Sequence, residues 1–229
     1  MGNIAGILFG LIGLAIPILI IAAIVYSILR IKSGISLSIS YKAALRVYFY
    51  IVILVSVGLT GVGGVSTLIN VGLGEMVGRE FSYGEVYQDH RELQDLKNNG
   101  DSSSYVVGDS RSLSEKIDLE MKGSLINGIS LAVIGSFLML VHFLGRRWVE
   151  TVDEHSDLLR RLYLIAGLAI FAVITIVSLI AGIPETLRYA LLEVEPGQES
   201  PGEALSIAIV GLPIWVSYLV ATLRNVRSQ

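Results

Sequence analysis

The 229-residue chain is 53% hydrophobic, has only 16% charged residues and carries a formal net charge of −3. A soluble domain usually has about 25% charged residues, so this composition argues against a soluble globular protein. The chain has no cysteine, which excludes disulfides, thiolate zinc sites, iron–sulfur clusters and covalent c-type haem built from this chain alone.

Five stretches of the sequence contain no Asp, Glu, Lys or Arg, and each is long enough to cross a bilayer. About 20 apolar residues span the hydrocarbon core as a helix. Only helices and closed barrels satisfy every backbone group in lipid, and continuous apolar runs are unlike the alternating segments of a barrel. The sequence therefore predicts an all-α integral membrane protein with a bundle of five transmembrane helices. The stretches are residues 2–29, 47–74, 123–145, 162–184 and 204–223.

A leading transmembrane helix is expected over residues 1–30, followed by a cytoplasmic interfacial linker over 31–42. No Lys or Arg precedes the apolar core of this helix, in contrast to a cleaved secretory signal. We therefore expect the helix to remain as a membrane span. Its Gly2, Gly6 and Gly10 form a small-residue stripe that allows another helix to approach closely.

The first transmembrane hairpin is expected over residues 43–146, with an extracytoplasmic insertion at 75–122. Two capping boxes in the insertion predict helix starts, at 82–85 (Ser-Tyr-Gly-Glu) and at 112–115 (Ser-Leu-Ser-Glu). The first of these helices is expected to end at 98–100 (Asn-Asn-Gly), and the second to continue into the membrane. We therefore expect a small helical cap on the outer face.

The chain is expected to continue through a cytoplasmic connection at 147–160 into a second hairpin with a short tail, 161–229. Lys and Arg accumulate on the cytoplasmic side of short loops. The side with the linker, connection and tail has 10 basic and 4 acidic residues, whereas the side with the insertion 75–122 and the loop 185–203 has 7 and 16. We predict a bacterial cytoplasmic membrane protein with its N-terminus outside and its C-terminus in the cytoplasm.

Small residues recur at four-residue spacing in two further helices, a pattern that favours close helix packing in membranes. We predict that they pack helices together within the bundle. The alternative is an interface with a partner protein, for which the leading helix is the best candidate. The residues are Ser56, Thr60 and Gly64 in one helix, and Gly128, Ala132 and Ser136 in the next.

The two hairpins show an internal repeat. Residues 46–48 (Arg-Val-Tyr) and 161–163 (Arg-Leu-Tyr) lead equivalent helices 115 residues apart, and the return helices align at an offset of 76 residues. Both halves run inside–outside–inside, which predicts a parallel duplication of hairpins. The aligned pairs are Thr60 with Thr175, Asn70 with Glu185, Gly135 with Gly211 and His142 with Tyr218.

These motifs resemble an uncharacterised bacterial family of small multi-pass membrane proteins, known only as a domain of unknown function. In that family Arg-x-Tyr enters one helix of a hairpin, and Gly-x-Pro-x-Trp followed by His lies in the return helix. Residues 161–163 and 211–215 (Gly-Leu-Pro-Ile-Trp) match, while Tyr218 replaces the histidine that the first half has at His142. The resemblance covers residues 42–225 apart from most of the insertion. It implies a membrane helix bundle and transfers no activity.

His142 is the only ionisable residue well inside a charge-free stretch, and such residues are candidates for function. A b-type haem usually has two axial histidines, and His90 and His155 are expected on opposite sides of the membrane. His142 would therefore ligate haem or a pigment only with a partner's help. The simpler interpretation is a structural residue one turn before Arg146, and we expect no cofactor and no metal.

Asn70 and Glu185 are aligned by the repeat and form a possible polar transmembrane site for an ion. Glu185 follows Pro184, so a helix boundary beside water is the simpler interpretation. No acidic residue lies near a helix midpoint, where coupled transporters place their sites.

The sequence has no His-Glu-x-x-His, Gly-x-Ser-x-Gly or P-loop motif, so we expect no enzyme. We predict a non-catalytic membrane subunit of a larger complex. It is expected to contact lipid and other membrane subunits, and no nucleic acid. The alternatives are a small transporter or channel built from duplicated hairpins, and a membrane sensor with an extracytoplasmic cap.

Overall fold

The computed structural model describes the chain in four ranges: residues 41–98, 111–149, 158–192 and 196–227. The leading helix, almost all of the interfacial linker and most of the cytoplasmic connection therefore lie outside the described residues. Contacts divide the chain at Leu45, and the packing described below is that of the unit beginning at Arg46. Within the described ranges all regular structure is helical, as the fold prediction requires.

The first described span runs over Ala44–Met76 and changes its helical geometry midway. It contains all but the first three residues of α1 (Tyr41–Gly58), followed by a π-helical segment (Leu59–Val65) and α2 (Ser66–Met76). The π segment has the sequence Leu-Thr-Gly-Val-Gly-Gly-Val. Glycine destabilises a regular helix because it has the largest backbone freedom to lose. The glycine-rich segment therefore favours a local departure from α-helical geometry.

Helix α3 (Arg79–Asn98) follows a turn at Gly78 and contains a kink at Tyr83 (φ −125°, ψ 33°). The helix start predicted at the capping box 82–85 coincides with this kink, where the backbone leaves helical geometry and a second helical segment follows. Helix α3 as a whole begins three residues before Ser82. Its Ser82 hydroxyl donates to the carbonyl oxygen of Asn70 at 2.8 Å instead of capping α3. The Ser82 hydroxyl is thus used in a tertiary hydrogen bond and not in a local cap.

Helix α4 (Leu113–Val149) begins at the second predicted capping box, which is confirmed. The Ser112 N–H donates to Glu115 Oε2 at 2.9 Å, and the Glu115 N–H donates to Ser112 Oγ at 3.4 Å. The helix has 37 residues, which gives a length of about 55 Å against a hydrocarbon core of about 30 Å. It is therefore long enough to extend beyond the hydrocarbon core, which the predicted continuation of this helix into the membrane requires.

The second hairpin consists of α5 (Leu158–Leu191) and α6 (Gly202–Arg227). With Ala44–Met76 and α4, these helices make four described spans that are long and apolar enough to cross a membrane. The multi-pass prediction is confirmed to this extent. The fifth predicted span, the leading helix, lies outside the described residues.

The helices of the described unit pack around α6 and the middle of the first span. Helix α5 lies along α6, and α6 also contacts the π segment and α2. Helix α4 packs on the other flank of the same two segments. Helix α3 contacts α2, α4 and α6, so it covers one end of the bundle. This end has the insertion and the loop between α5 and α6, and is called the outer end below.

Candidate functional site

Glycines bring α4 against the first span. A methyl group at Gly64 would lie 2.5 Å from the Ala132 nitrogen, and one at Gly128 would lie 3.3 Å from the Gly64 carbonyl oxygen. A methyl group at Gly135 would overlap the Thr60 hydroxyl and lie 2.8 Å from the Thr60 nitrogen. Four of the predicted packing residues, Thr60, Gly64, Gly128 and Ala132, therefore lie in one close helix contact.

The remaining predicted packing residues have other environments. Ser56 is 1% exposed, and its hydroxyl donates to the Val52 carbonyl oxygen at 2.7 Å. Ser136 is exposed, because the buried face of α4 passes through Gly135 instead. The glycine stripe of the leading helix, Gly2, Gly6 and Gly10, lies outside the described residues.

A second threonine–glycine contact joins α5 and α6. A methyl group at Gly211 would lie 2.7 Å from the Thr175 hydroxyl oxygen. The hydroxyl oxygens of Thr60 and Thr175 are both buried and have no hydrogen-bond partner among the described residues. A hydroxyl oxygen in this position lies against the Cα–H of glycine, a weak attractive contact. Thr60–Gly135 and Thr175–Gly211 are the pairs that the sequence repeat aligns.

His142 is held by two hydrogen bonds near the opposite, inner end of the bundle. Its Nδ1 lies 2.8 Å from the Leu138 carbonyl oxygen, which only accepts. Nδ1 therefore carries the hydrogen, and Nε2 accepts from the Tyr48 hydroxyl at 3.1 Å. A metal or pigment would have to displace Tyr48 or Leu138, so this arrangement supports the structural interpretation of His142.

The second hairpin has a tyrosine pair in the matching place. The hydroxyls of Tyr163 and Tyr218 lie 2.8 Å apart, and Phe171 stacks on the Tyr218 ring with centroids 5.5 Å apart. A methyl group at Gly167 would overlap the same ring. Glycine therefore provides the space in which the Tyr218 ring lies between α5 and α6.

Tyr50 connects the two hairpins at the inner end. Its ring is 4.8 Å from that of Tyr163, and the Arg146 guanidinium carbon lies 5.1 Å from its centroid. Tyr50 is 4% exposed, so both contacts are shielded from solvent and the cation–π attraction is strengthened. We call Tyr50, Tyr163, Tyr218, Phe171 and Arg146 the tyrosine cluster.

The sequence revealed only part of the tyrosine cluster. Tyr163 and Tyr218 were found through the repeat, and Arg146 through its charge. The pairing of Tyr50 with Tyr163 and the position of Phe171 were not predicted, because an aromatic residue in an apolar helix carries no signal of its partner. The spacing of Tyr50 four residues after the buried Arg46 would have placed both on one helical face.

Asn70 and Glu185 have separate neighbours at the outer end. The Asn70 carbonyl oxygen accepts from Ser82, and its buried Oδ1 lies beside Gly202 without a hydrogen-bond partner among the described residues. The charged groups that interact electrostatically with the Glu185 carboxylate are Glu199 and Arg188. None of these contacts joins Asn70 to Glu185. The described contacts therefore do not bring the two residues of the predicted polar site together.

Helix α3 is attached to the loop before α6 by hydrogen bonds. The Gly84 N–H donates to Ser200 Oγ at 3.1 Å, and Gln88 Nε2 donates to the Gly197 carbonyl oxygen at 2.6 Å. On its other side Arg79 pairs with Asp118 of α4 at 2.8 Å. The insertion of the first hairpin therefore closes over the loop of the second.

Tyr83 marks the kink of α3 and is 4% exposed. Burial raises the pKa of its hydroxyl, and the carboxylates of Glu75 and Glu120 raise it further. The hydroxyl is therefore neutral at physiological pH. Among the described residues no group of three or more His, Asp or Glu side chains is arranged to hold a metal ion.

A family model described as a domain of unknown function (DUF5671) matches residues 105–203, which is less than half of the chain. This range contains α4 and α5, the return helix of the first hairpin and the entering helix of the second. The chain matches no curated protein and no solved structure. The family match at residues 105–203 confirms the resemblance to an uncharacterised family.

Proposed function

We propose that the chain is a non-catalytic subunit of a membrane assembly. The observation that carries this proposal is the close contact of helices at glycines through the middle and outer parts of the bundle. Methyl groups at Gly61, Gly64, Gly135 and Gly211 would each lie within 2.8 Å of an atom of a neighbouring helix. Such packing favours a rigid scaffold over a wide solute path.

We further propose that the scaffold arose by duplication of one hairpin. Two kinds of contact support this, and both join residues aligned by the repeat. Thr60 contacts Gly135 as Thr175 contacts Gly211. The Tyr48 hydroxyl bonds to His142 as the Tyr163 hydroxyl bonds to Tyr218.

Helix α4 is our proposed contact with the partner subunit. Its apolar side chains are exposed along its whole membrane stretch, including Ile126 (66%), Val133 (62%) and Phe137 (64%). Lipid covers such a face as well as a protein does, so hydrophobicity alone does not distinguish a lipid-facing surface from a protein interface. We choose α4 because it is the least buried of the four described spans against the rest of the chain.

The test is isolation of the chain from native membranes in a mild detergent, followed by mass measurement. The proposal predicts a complex heavier than the 24.8 kDa chain that contains other polypeptides. Phe137→Ala on α4 is expected to reduce their recovery, whereas Ile180→Ala on the exposed face of α5 is the matched control. A species containing this chain alone would exclude the proposal.

A small transporter or channel is the second candidate, and the buried hydroxyls of Thr60 and Thr175 favour it. Unpartnered buried polar groups are costly, at about 1–3 kcal/mol each, so a polar path is one reason for a membrane bundle to keep them. This candidate predicts altered solute flux in vesicles for Asn70→Ala and Glu185→Ala. Unchanged flux for both variants across a broad solute panel would count against it.

A further inference from the structure

The first span is divided at its π segment into two halves that are held differently. Its outer half, α2, packs closely against α3, α4 and α6. The Ser66 hydroxyl bonds within the helix, and a methyl group at Gly74 would lie 3.1 Å from Ser82 and from the Tyr83 ring. The hydrogen bond from Ser82 to Asn70 adds a polar tie to α3. The outer half is therefore fixed in place.

The inner half, 46–58, meets the other helices mainly through long side chains. Within the first span, the π segment and α2 make the close pairings with other helices, and α1 is not among them. Instead, Tyr48 reaches His142, Tyr50 reaches Tyr163, and the Phe49 ring fills the space beside Gly145. These aromatic side chains can move away from their partners by rotamer changes, without breaking a contact between helix backbones.

The π segment between these halves has looser backbone bonding than an α-helix. The Ser66 N–H donates to the Gly61 carbonyl oxygen, five residues back. Such segments are sites of helix bending and occur often at functional positions. Three of the seven residues are glycines, which permit a wide range of backbone angles.

We propose that Leu59–Val65 is a hinge on which the inner half of the first span swings away from α5. The movement parts Tyr50 from Tyr163 and opens the inner end of the bundle between the two hairpins. The inner half is about 20 Å long at 1.5 Å per residue, so a bend of about 20° displaces its tip by about 7 Å. This hinge does not depend on either proposed function.

The chain has no cysteine, so introduced pairs provide the only thiols for spin labels. One pair, Val47→Cys with Leu223→Cys, reports the inner end. A second pair, Met76→Cys with Leu191→Cys, reports the outer end; all four native residues are exposed. Pulsed electron–electron distance measurements on the full chain in lipid nanodiscs are expected to give two populations for the inner pair, several ångströms apart, and one for the outer pair.

A stiffened hinge provides the matched comparison. Gly63→Ala favours regular helix, and the closest atom to its methyl group would be the flexible end of Leu131, at 3.3 Å. This variant is expected to remove the second inner population. Gly72→Ala lies in α2 with open space around it and is expected to leave both populations. A single inner population in the parent chain, or loss of the second one in Gly72→Ala as well, would overturn the hinge.

Discussion

At the scale of single residues, glycines in the return helices determine how closely each hairpin packs. Gly135 and Gly211 each lie against a threonine hydroxyl, and a side chain at either position would push the helices apart. Gly123 lies in the same helix as Gly135, yet a methyl group there would contact nothing within 4 Å. Gly123 and Gly135 therefore differ in what they contribute to the fold.

Gly135→Ala is expected to lower the free energy of unfolding by about 1–3 kcal/mol, because the added methyl group overpacks a closed contact. Gly123→Ala is expected to be neutral or slightly stabilising, since alanine favours helix by up to about 1 kcal/mol. Thermal unfolding of both variants in the same detergent checks this difference. Equal midpoints for the two variants would show that the contact does not limit packing.

The Tyr163–Tyr218 hydrogen bond suits a double-mutant cycle. Tyr218→Phe leaves the buried Tyr163 hydroxyl without this partner and is expected to cost about 1–3 kcal/mol. Adding Tyr163→Phe removes the second polar group, so the double variant is expected to be more stable than Tyr218→Phe alone. Denaturation of Tyr218→Phe, Tyr163→Phe and the double variant measures the coupling. Strictly additive losses would contradict a direct hydroxyl pair.

At the scale of elements, sequence signals succeeded where the local chain decides and failed where distant residues compete. The box at 112–115 caps α4 because the Ser112 hydroxyl and the Glu115 carboxylate accept hydrogen bonds from N–H groups at the start of the same helix. At 82–85 the helix breaks at Tyr83 as the pattern indicates, but the Ser82 hydroxyl bonds to Asn70 of another helix instead of capping its own. The π segment was not predicted either, since its glycines also fit the small-residue stripe of an ordinary membrane helix.

Docking of α3 on the second hairpin is expected to depend on Gly197. Its φ of +82° favours glycine, and a methyl group there would lie 2.5 Å from Tyr87 Cβ and 2.7 Å from the Gly84 carbonyl oxygen. Gly197→Ala is therefore expected to release α3 and speed amide hydrogen exchange over 84–92 by on the order of tenfold. Gly123→Ala serves as the control and should leave these rates unchanged. Unaltered exchange in Gly197→Ala would mean that α3 docks without this turn.

At the scale of the whole molecule, the apolar stretches located the four described spans because each stretch is continuous and of bilayer length. The repeat also aligned residues that make matching contacts, such as Thr60 with Thr175. The candidate site was predicted less well. Tyr50 joins the hairpins only through a tertiary contact with Tyr163, and no periodicity in one helix encodes a neighbour in another.

The central prediction is that the chain crosses the membrane in antiparallel pairs, with α3 outside and the arginine-rich ends inside. Single-cysteine variants labelled in intact cells with a membrane-impermeant maleimide test it most directly, because the parent chain has no thiol. Glu92→Cys on α3 is expected to react at once, and Val226→Cys near the end of α6 only after permeabilisation. Reaction of both cysteines from the same side, or of Val226→Cys alone in intact cells, would contradict the account.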